Sequence, residues 1–364
     1  MTEQLETASS PSLTQLLTID NSWKRELASA FKDPLTLLEY LQIKPTSKSK
    51  TAGLPLLSKF DFPMLVPQYF ADLIEKGNID DPILLQVLPF ASEQITHPDF
   101  VLQPLDEQDN FIPVANIVHK YADRLLFLPK GACAVNCRYC FRRNFPYAEL
   151  EGGKEQWQAS LEYAFIQNIT ELILSGGDPL MMTDKEFAWL GEQVLAFNAR
   201  QKAQGKAPID RIRIHSRLPV VLPNRITQDF ITLCQALIAQ EVQVILVTHI
   251  NHGNEVSALL KAKLHLLAQA SLTLLNQSVL LKGVNDNPEV LAELSHKLFK
   301  ARVLPYYLHL LDKVTGATYF YVPDERALEI YAQLQKLTSG YLVPKLAREI
   351  VGEPHKTLYT TGCN

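Results

Sequence analysis

The chain has 364 residues, 35 Lys and Arg against 39 Asp and Glu, a formal net charge of -4 and 47% hydrophobic residues, the proportions of an ordinary globular enzyme. This balance and the lack of a basic run argue against nucleic acid as the main partner, and no apolar stretch approaches the roughly 18 residues that span a bilayer, so no membrane contact is expected. Five cysteines are an odd number, and the start MTEQLETASSPSL has neither a basic opening nor an apolar run, which predicts a cytoplasmic chain with reduced thiols.

Residues 1–118 are expected to form a mostly helical N-terminal region. SWKRELASAFKDPLTLLEYLQI and YFADLIEKGNIDDPILLQVLP carry apolar residues at helical spacing, punctuated by prolines. From 119 to 335 the texture changes to short apolar, β-branched runs separated by helical stretches. The runs are RLLFLPKG, ELILSGGDP, RIRIHSR, VQVILVTHINH, LTLLNQSVLL and VLPYYLHLLD, and this alternation predicts repeated βα units on a parallel sheet. Each run ends in small or polar residues: Gly131, Ser175 to Asp178, His215 to Arg217, His249 to His252, Asn276 to Ser278, and His309 with Asp312. Strand ends are polar wherever they reach water. Six such endings in series are also what an incomplete six-stranded (β/α)6 barrel shows when its active site lies at the carboxyl ends of the strands. Residues 336–364 follow as a C-terminal segment.

Cys133, Cys137 and Cys140 stand at C-x3-C-x2-C spacing just after the first predicted barrel strand. Thiolates are soft ligands that suit an iron-sulfur cluster or zinc, and a structural zinc site would want four protein ligands. Only three are local. Cys234 lies in ITLCQALIAQ, where a small buried hydrophobe is the plain reading, and Cys363 is the penultimate residue. A three-cysteine site leaves one coordination position open for a substrate.

With Tyr139 as the aromatic residue before the third cysteine, this loop resembles that of the radical S-adenosylmethionine enzymes. The resemblance implies a [4Fe-4S] cluster on the three cysteines, S-adenosylmethionine bound to the fourth iron, an external one-electron donor, and a 5'-deoxyadenosyl radical. SGGDP at 175–179 resembles the family's site for the methionine amino group, which brings Ser175, Gly176, Gly177 and Asp178 into the cofactor set, although a turn needing positive φ would explain the glycines alone. PLDEQ, HKYADR, CRYCFRR, RIHSRLPVVLPNRIT, THINHGNE, NQSVLLKGVND and TSGYLVP, spread over roughly residues 60 to 357, resemble the lysine 2,3-aminomutase family, and within it the short form that supplies β-lysine for modifying elongation factor P.

That family also uses pyridoxal 5'-phosphate. The resemblance implies that Lys356, in VGEPHK, carries it, although the usual glycine run before this lysine is replaced by GEPH. Lys120 and Arg124 match the phosphate-binding pair; by themselves a Lys and an Arg in HKYADR are more often a solvated surface pair. Ser216, His249 and Gln277 match cofactor contacts, or are core polar residues. Arg142 matches the arginine that holds the substrate α-carboxylate. Asp312 and Glu349 match two carboxylates on the distant ammonium, with Glu349 one methylene longer than usual and open to a plainer reading as a helix-end charge; His309 stands where relatives often have tyrosine. The implied reaction is isomerisation of free L-lysine to β-lysine, with a separate ligase attaching the product to elongation factor P. The alternatives are the same chemistry on another amino acid or on protein-bound lysine, or a non-enzymatic metal-binding scaffold.

Overall fold

The structure is a computed structural model and describes residues 12–18, 20–56, 59–107, 111–147 and 153–360. Cys363 lies outside the described residues. In the N-terminal region the helical periodicity breaks into short pieces. Helices α1 (Ser22–Ala28) and α2 (Pro34–Tyr40) are separated where Asp33 caps α2, accepting from Thr36 N at 2.8 Å, with Pro34 in the first turn where its missing N–H is not needed. The second periodic run yields one turn, α3 (Gln68–Ala71), and then a tight turn in which Asp81 accepts from Ile83 N and Leu84 N at 2.8 and 3.1 Å. Leu37, Leu38, Phe70 and Leu84 from these pieces share one apolar core with the sheet.

That sheet has nine strands in sequential order: β1 (Ile117–Val118), β2 (Arg124–Lys130), β3 (Glu171–Gly176), β4 (Arg211–Ser216), β5 (Gln243–His249), β6 (Thr273–Val279), β7 (Leu304–His309), β8 (Lys345–Arg348) and β9 (Thr357–Leu358). Strands β2 to β8 are parallel, and β1 and β9 close the edges antiparallel. The six expected strands are β2 to β7. One seventh parallel strand, β8, was not expected, because Leu346 and Ala347 are its only apolar residues and a pair makes no legible run.

Helices α4 (Lys154–Ile166), α5 (Asp184–Ala203), α6 (Leu218–Val221), α7 (Gln228–Ala239), α8 (Ala258–Gln269), α9 (Pro288–Lys300) and α10 (Asp324–Leu337) fill the crossovers. Thr183, Thr227, Ser257 and Asn287 cap α5, α7, α8 and α9 through their side chains, satisfying amide donors that the first helical turn leaves free. Alternation decides which side chains meet the helices. In β4, Ile212 and Ile214 are fully buried while Arg211, Arg213 and His215 between them lie on the other face. That inner face is polar, with Arg213 Nε 2.9 Å from a Glu171 carboxylate oxygen. No helix among the described residues is long and apolar enough to cross a membrane.

Candidate active site

The cysteine loop leaves β2 at Gly131 and is held from three sides. The end of β3 approaches so closely that a Cβ on Gly177 would sit 2.3 Å from the Gly131 carbonyl oxygen, and Gly176 has φ +119° with Lys130 O at 2.7 Å from its would-be Cβ. Both glycines are therefore required by packing. Gly177 N and Asp178 N donate to Lys130 O and Ala132 O, each at 2.9 Å. Asp178 is itself enclosed, accepting from Ser216 Oγ (2.7 Å), Arg217 N (2.9 Å) and Leu218 N (2.8 Å). The structure thus brings Asp178 and Ser216 together, but on each other, tying the ends of β3 and β4 behind the loop.

The N-terminal region supplies the second support. Glu93 accepts from Arg138 through Nε at 2.8 Å and through Nη2, and from Arg143 Nη2 at 2.9 Å. Gln86 lies in a buried network with Tyr139, Arg217, Asn251 and Glu255: Arg217 Nη2 and Asn251 Nδ2 donate to Gln86 Oε1 at 2.7 and 2.9 Å, and Asn251 also donates to Tyr139 Oη at 2.7 Å. His249 joins it from β5, 2.9 Å from Tyr139 Oη with the two rings stacked. Burial and the nearby Arg217 keep His249 neutral, far below the usual imidazole range. Gln277 is its partner on β6 in the ladder.

Within this frame Cys133, Cys137 and Cys140 are free thiols and half-buried, flanked by the buried residues Ala134, Val135 and Tyr139. Among the described residues no group of three or more His, Cys, Asp or Glu is gathered closely enough to hold a single ion. Three thiols spaced along one loop with cations behind them suit ligands to separate irons of one anionic cluster. Arg217 Nη1 lies 2.7 Å from Cys137 Sγ, and Arg142 lies near Cys133 and Cys140. Cys234 is fully buried in α7.

Arg142 is buried and already forked. Its Nε and Nη2 donate to the two oxygens of Glu107 at 2.8 Å each, and Nη1 donates to Ser175 Oγ at 3.2 Å. Since a guanidinium has five N–H groups, these contacts leave two for a further acceptor.

The other side of the site is built by the β8–β9 hairpin. Ala347 pairs with Leu358 and Arg348 with Thr357, so the next positions outward, Glu349 and Lys356, face each other across the hairpin mouth. Lys356 Nζ donates to Glu349 Oε2 and Lys120 Nζ to Glu349 Oε1, both at 2.5 Å. Glu349 is thus not a helix-end charge; it bridges two lysines. Burial works to raise its carboxyl, but Lys356 and Lys120 outweigh it and hold the group below the usual range. Arg124 makes no ion pair within this triad: it pairs with Asp123 at 2.6 Å and stacks 4.0 Å from the ring of Tyr121, whose Oη lies 3.5 Å from Glu349 Oε1. The 32% exposed Lys356 amine, with Lys120 one carboxylate away, fits a group that needs a lysine and a cation for its phosphate.

Asp312 and His309 complete the surroundings from the end of β7. Burial pushes the Asp312 carboxyl up to about 7, with Lys356 opposing and Glu349 adding to the rise. Burial, reinforced by Lys356, pushes His309 down to about 3, so the imidazole is neutral. His215 is neutral for the same reason, with burial first and Arg213 and Lys356 next, and its Nε2 is buried without a partner. Sequence reasoning assigned no role to Glu107, Arg217 or His215. Their signals were weak, because Glu107 is one of two adjacent carboxylates in PLDEQ and the other two lie in a strand ending that is polar wherever it reaches water.

No family model matches the chain. Among curated proteins it is 49% identical over 341 residues to the L-lysine 2,3-aminomutase of Haemophilus influenzae, covering 93% of this chain and 96% of that one. It is 49% identical to the Escherichia coli protein of the same name, covering 92% and 93%, and 33% identical to that of Clostridium subterminale, covering 93% and 77%. Solved structures similar to it include Streptococcus suis SuiB bound to S-adenosylmethionine, with a TM-score of 0.43 and 13% identity over 64% of this chain and 52% of that one. A radical SAM methyltransferase from Sphaerobacter thermophilus has a TM-score of 0.43 and 17% identity over 64% and 68%. Half-identical over nearly the full length of two such relatives, this chain belongs to the L-lysine 2,3-aminomutase family and is an isomerase of the radical S-adenosylmethionine kind.

Proposed function

We propose that the protein converts free L-lysine to β-lysine, using a [4Fe-4S] cluster on Cys133, Cys137 and Cys140, S-adenosylmethionine, and pyridoxal 5'-phosphate on Lys356, with electrons from an external one-electron donor. The observation that carries this reading is the assembly of cysteine loop, Arg142, Asp312 and the Glu349–Lys356 pair around one end of a single, mostly parallel sheet. When bound, the cluster with S-adenosylmethionine supplies a carbon-centred radical, and pyridoxal phosphate supplies the group on which nitrogen migrates.

The chain's own residues would bind and orient. Arg142, fixed by Glu107, offers its two remaining N–H groups to the α-carboxylate in a forked pair. Asp312 and Glu349 provide negative charge for the side-chain ammonium, Lys120 and Arg124 provide cations for the phosphate, and the neutral His309 adds polarity without charge. Ser175, Gly176 and Gly177 line the approach to the cluster loop, with His249 and Gln277 at the ends of the neighbouring strands. An exposed ion pair is worth about 0 to 1 kcal/mol, too little to select one amino acid, whereas breaking a buried pair costs roughly 3 to 5 kcal/mol. The enclosed carboxylates therefore favour a cationic side chain over a neutral or acidic one.

Arg142 also distinguishes free from protein-bound lysine, since a lysine inside a polypeptide has no free α-carboxylate to offer. Labelled free lysine incubated anaerobically with the reconstituted, reduced enzyme and S-adenosylmethionine should yield β-lysine and 5'-deoxyadenosine. Arg142→Lys, which keeps charge and loses the fork, should lower turnover, because a displaced β-carbon no longer meets the radical. Free lysine left unchanged while lysine on elongation factor P is rearranged would overturn the substrate assignment. Attachment of the product to elongation factor P then falls to a separate ligase, because isomerisation of free lysine leaves a free β-amino acid.

The Asp312 carboxyl gives a pH signature. Its ionised form attracts the ammonium, and burial lifts it to about 7. Lysine affinity should be full above pH 7 and weaken as the pH falls below it, approaching about tenfold per unit for one linked proton. Binding near pH 7 should release that proton. Calorimetry in buffers of different ionisation heat reads the release; Asp312→Asn should abolish it, and an identical release from that variant would place the ammonium elsewhere.

A further inference from the structure

We propose that Arg217 is a positioning residue that fixes Cys137 and raises the reduction potential of the iron-sulfur cluster, an inference that rests on the cluster reading above. Arg217 follows directly on β4, and its backbone N–H is pinned to Asp178 Oδ2 at 2.9 Å. Its side chain runs into the cysteine loop. Nη1 lies 2.7 Å from Cys137 Sγ and 2.6 Å from Tyr139 Oη, while Nη2 donates to Gln86 Oε1 at 2.7 Å and Glu255 Oε2 at 3.0 Å. The Phe70 ring lies 5.4 Å from the guanidinium carbon. Arg217 is 7% exposed and Glu255 fully buried, so this planar cation is locked by the N-terminal region, the cysteine loop and the segment after β5.

The other arginines of the loop are spent differently. Arg138 and Arg143 pair with Glu93, and Arg142 with Glu107. Arg217 instead brings a donor to a coordinating sulfur. A guanidinium stays protonated at every working pH, so both hydrogen bond and charge are permanent. Hydrogen bonds to cluster sulfurs are among the features that set cluster potential. Reduction adds one negative charge to the cluster, and a fixed positive charge at Cys137 Sγ favours that reduced form. Glu255 opposes this field, but it is held by Nη2, the nitrogen turned to Gln86, while Nη1 meets the sulfur. The electron itself comes from the external donor; Arg217 shifts only how readily the cluster takes it.

The test uses the full chain, reconstituted anaerobically, with iron and sulfide measured for every sample. Wild type, Arg217→Gln, Glu255→Gln and the double variant Arg217→Gln/Glu255→Gln are compared by dye-mediated potential titration followed by electron paramagnetic resonance. The double variant leaves no lone buried carboxylate, so it reports even where the single variant does not fold. Loss of Arg217 should shift the reduction equilibrium at least tenfold toward the oxidised cluster, about 59 mV more negative for one electron, and Glu255→Gln alone should shift it the other way. With arginine labelled by 15N, the reduced wild-type cluster should show a nitrogen hyperfine coupling that Arg217→Lys lacks. Equal potentials in Glu255→Gln and the double variant at equal iron content, two chains that differ only at residue 217, would overturn the proposal, and a wild-type chain that takes up no iron would overturn the cluster reading with it.

Discussion

Replacing any one of Cys133, Cys137 and Cys140 by Ala is expected to abolish the intact cluster, taking iron and sulfide from a full complement to nearly none, while Cys234→Ala keeps both. The three thiols stand free on one half-buried loop, whereas Cys234 is sealed inside α7. Loss of cluster would not be loss of fold, because the loop is anchored by groups that the substitutions leave alone: Arg138 on Glu93, Asp178 N on Ala132 O, and the glycine contact to Gly131. Without metal, burial lifts the Cys133 thiol well above its usual range and the Cys140 thiol to about 11, each helped by the neighbouring cysteines. Iron must displace protons from both. Uptake should therefore become more favourable as pH rises. Equal iron in all four variants would remove the assignment.

Borohydride reduction of the enzyme loaded with pyridoxal phosphate is expected to fix the pyridoxyl group on the peptide that contains Lys356. In Lys356→Ala the covalent label should vanish while iron content stays unchanged. The expectation follows from placement: Lys356 faces Glu349 across the β8–β9 hairpin, beside Lys120 and near Asp312 and His309. The neighbouring lysines lack this setting, since Lys313 pairs with Asp99 at 3.2 Å and Lys345 is exposed on β8. Peptide mapping is decisive here. Label on Lys345 or Lys313 would mean that the second cofactor binds somewhere other than the hairpin mouth.

Much of this site was legible because its signals are local. Three thiols within eight positions need no fold to be recognised, and a strand buried on its helix-facing side announces itself through Ile212, Ile214, Val244 and Leu246. The same logic failed for β8. With Leu346 and Ala347 alone between Lys345 and Arg348, only its hydrogen bonds to β7 make it a strand. The mostly helical reading of residues 1–118 meets only short helices separated by irregular chain among the described residues, since Asp33 with Pro34 restarts one helix and Asp81 turns the chain into another short element.

The sequence by itself determined the cysteine spacing and the six apolar runs that form β2 to β7, because both are local patterns along the chain. Only the tertiary structure decided who holds whom. Glu107 reaches Arg142, Gln86 and Glu93 brace the cysteine loop, Asp178 closes on Ser216, and Glu349 stands between Lys120 and Lys356. Such pairs join residues far apart in the chain, and a carboxylate in a sequence carries no mark of which cation it will meet. Burial supplied the rest: it raises Asp312 to about 7 and lowers His309 to about 3, since the charge on a carboxylate or imidazole depends on how much water the fold leaves around it.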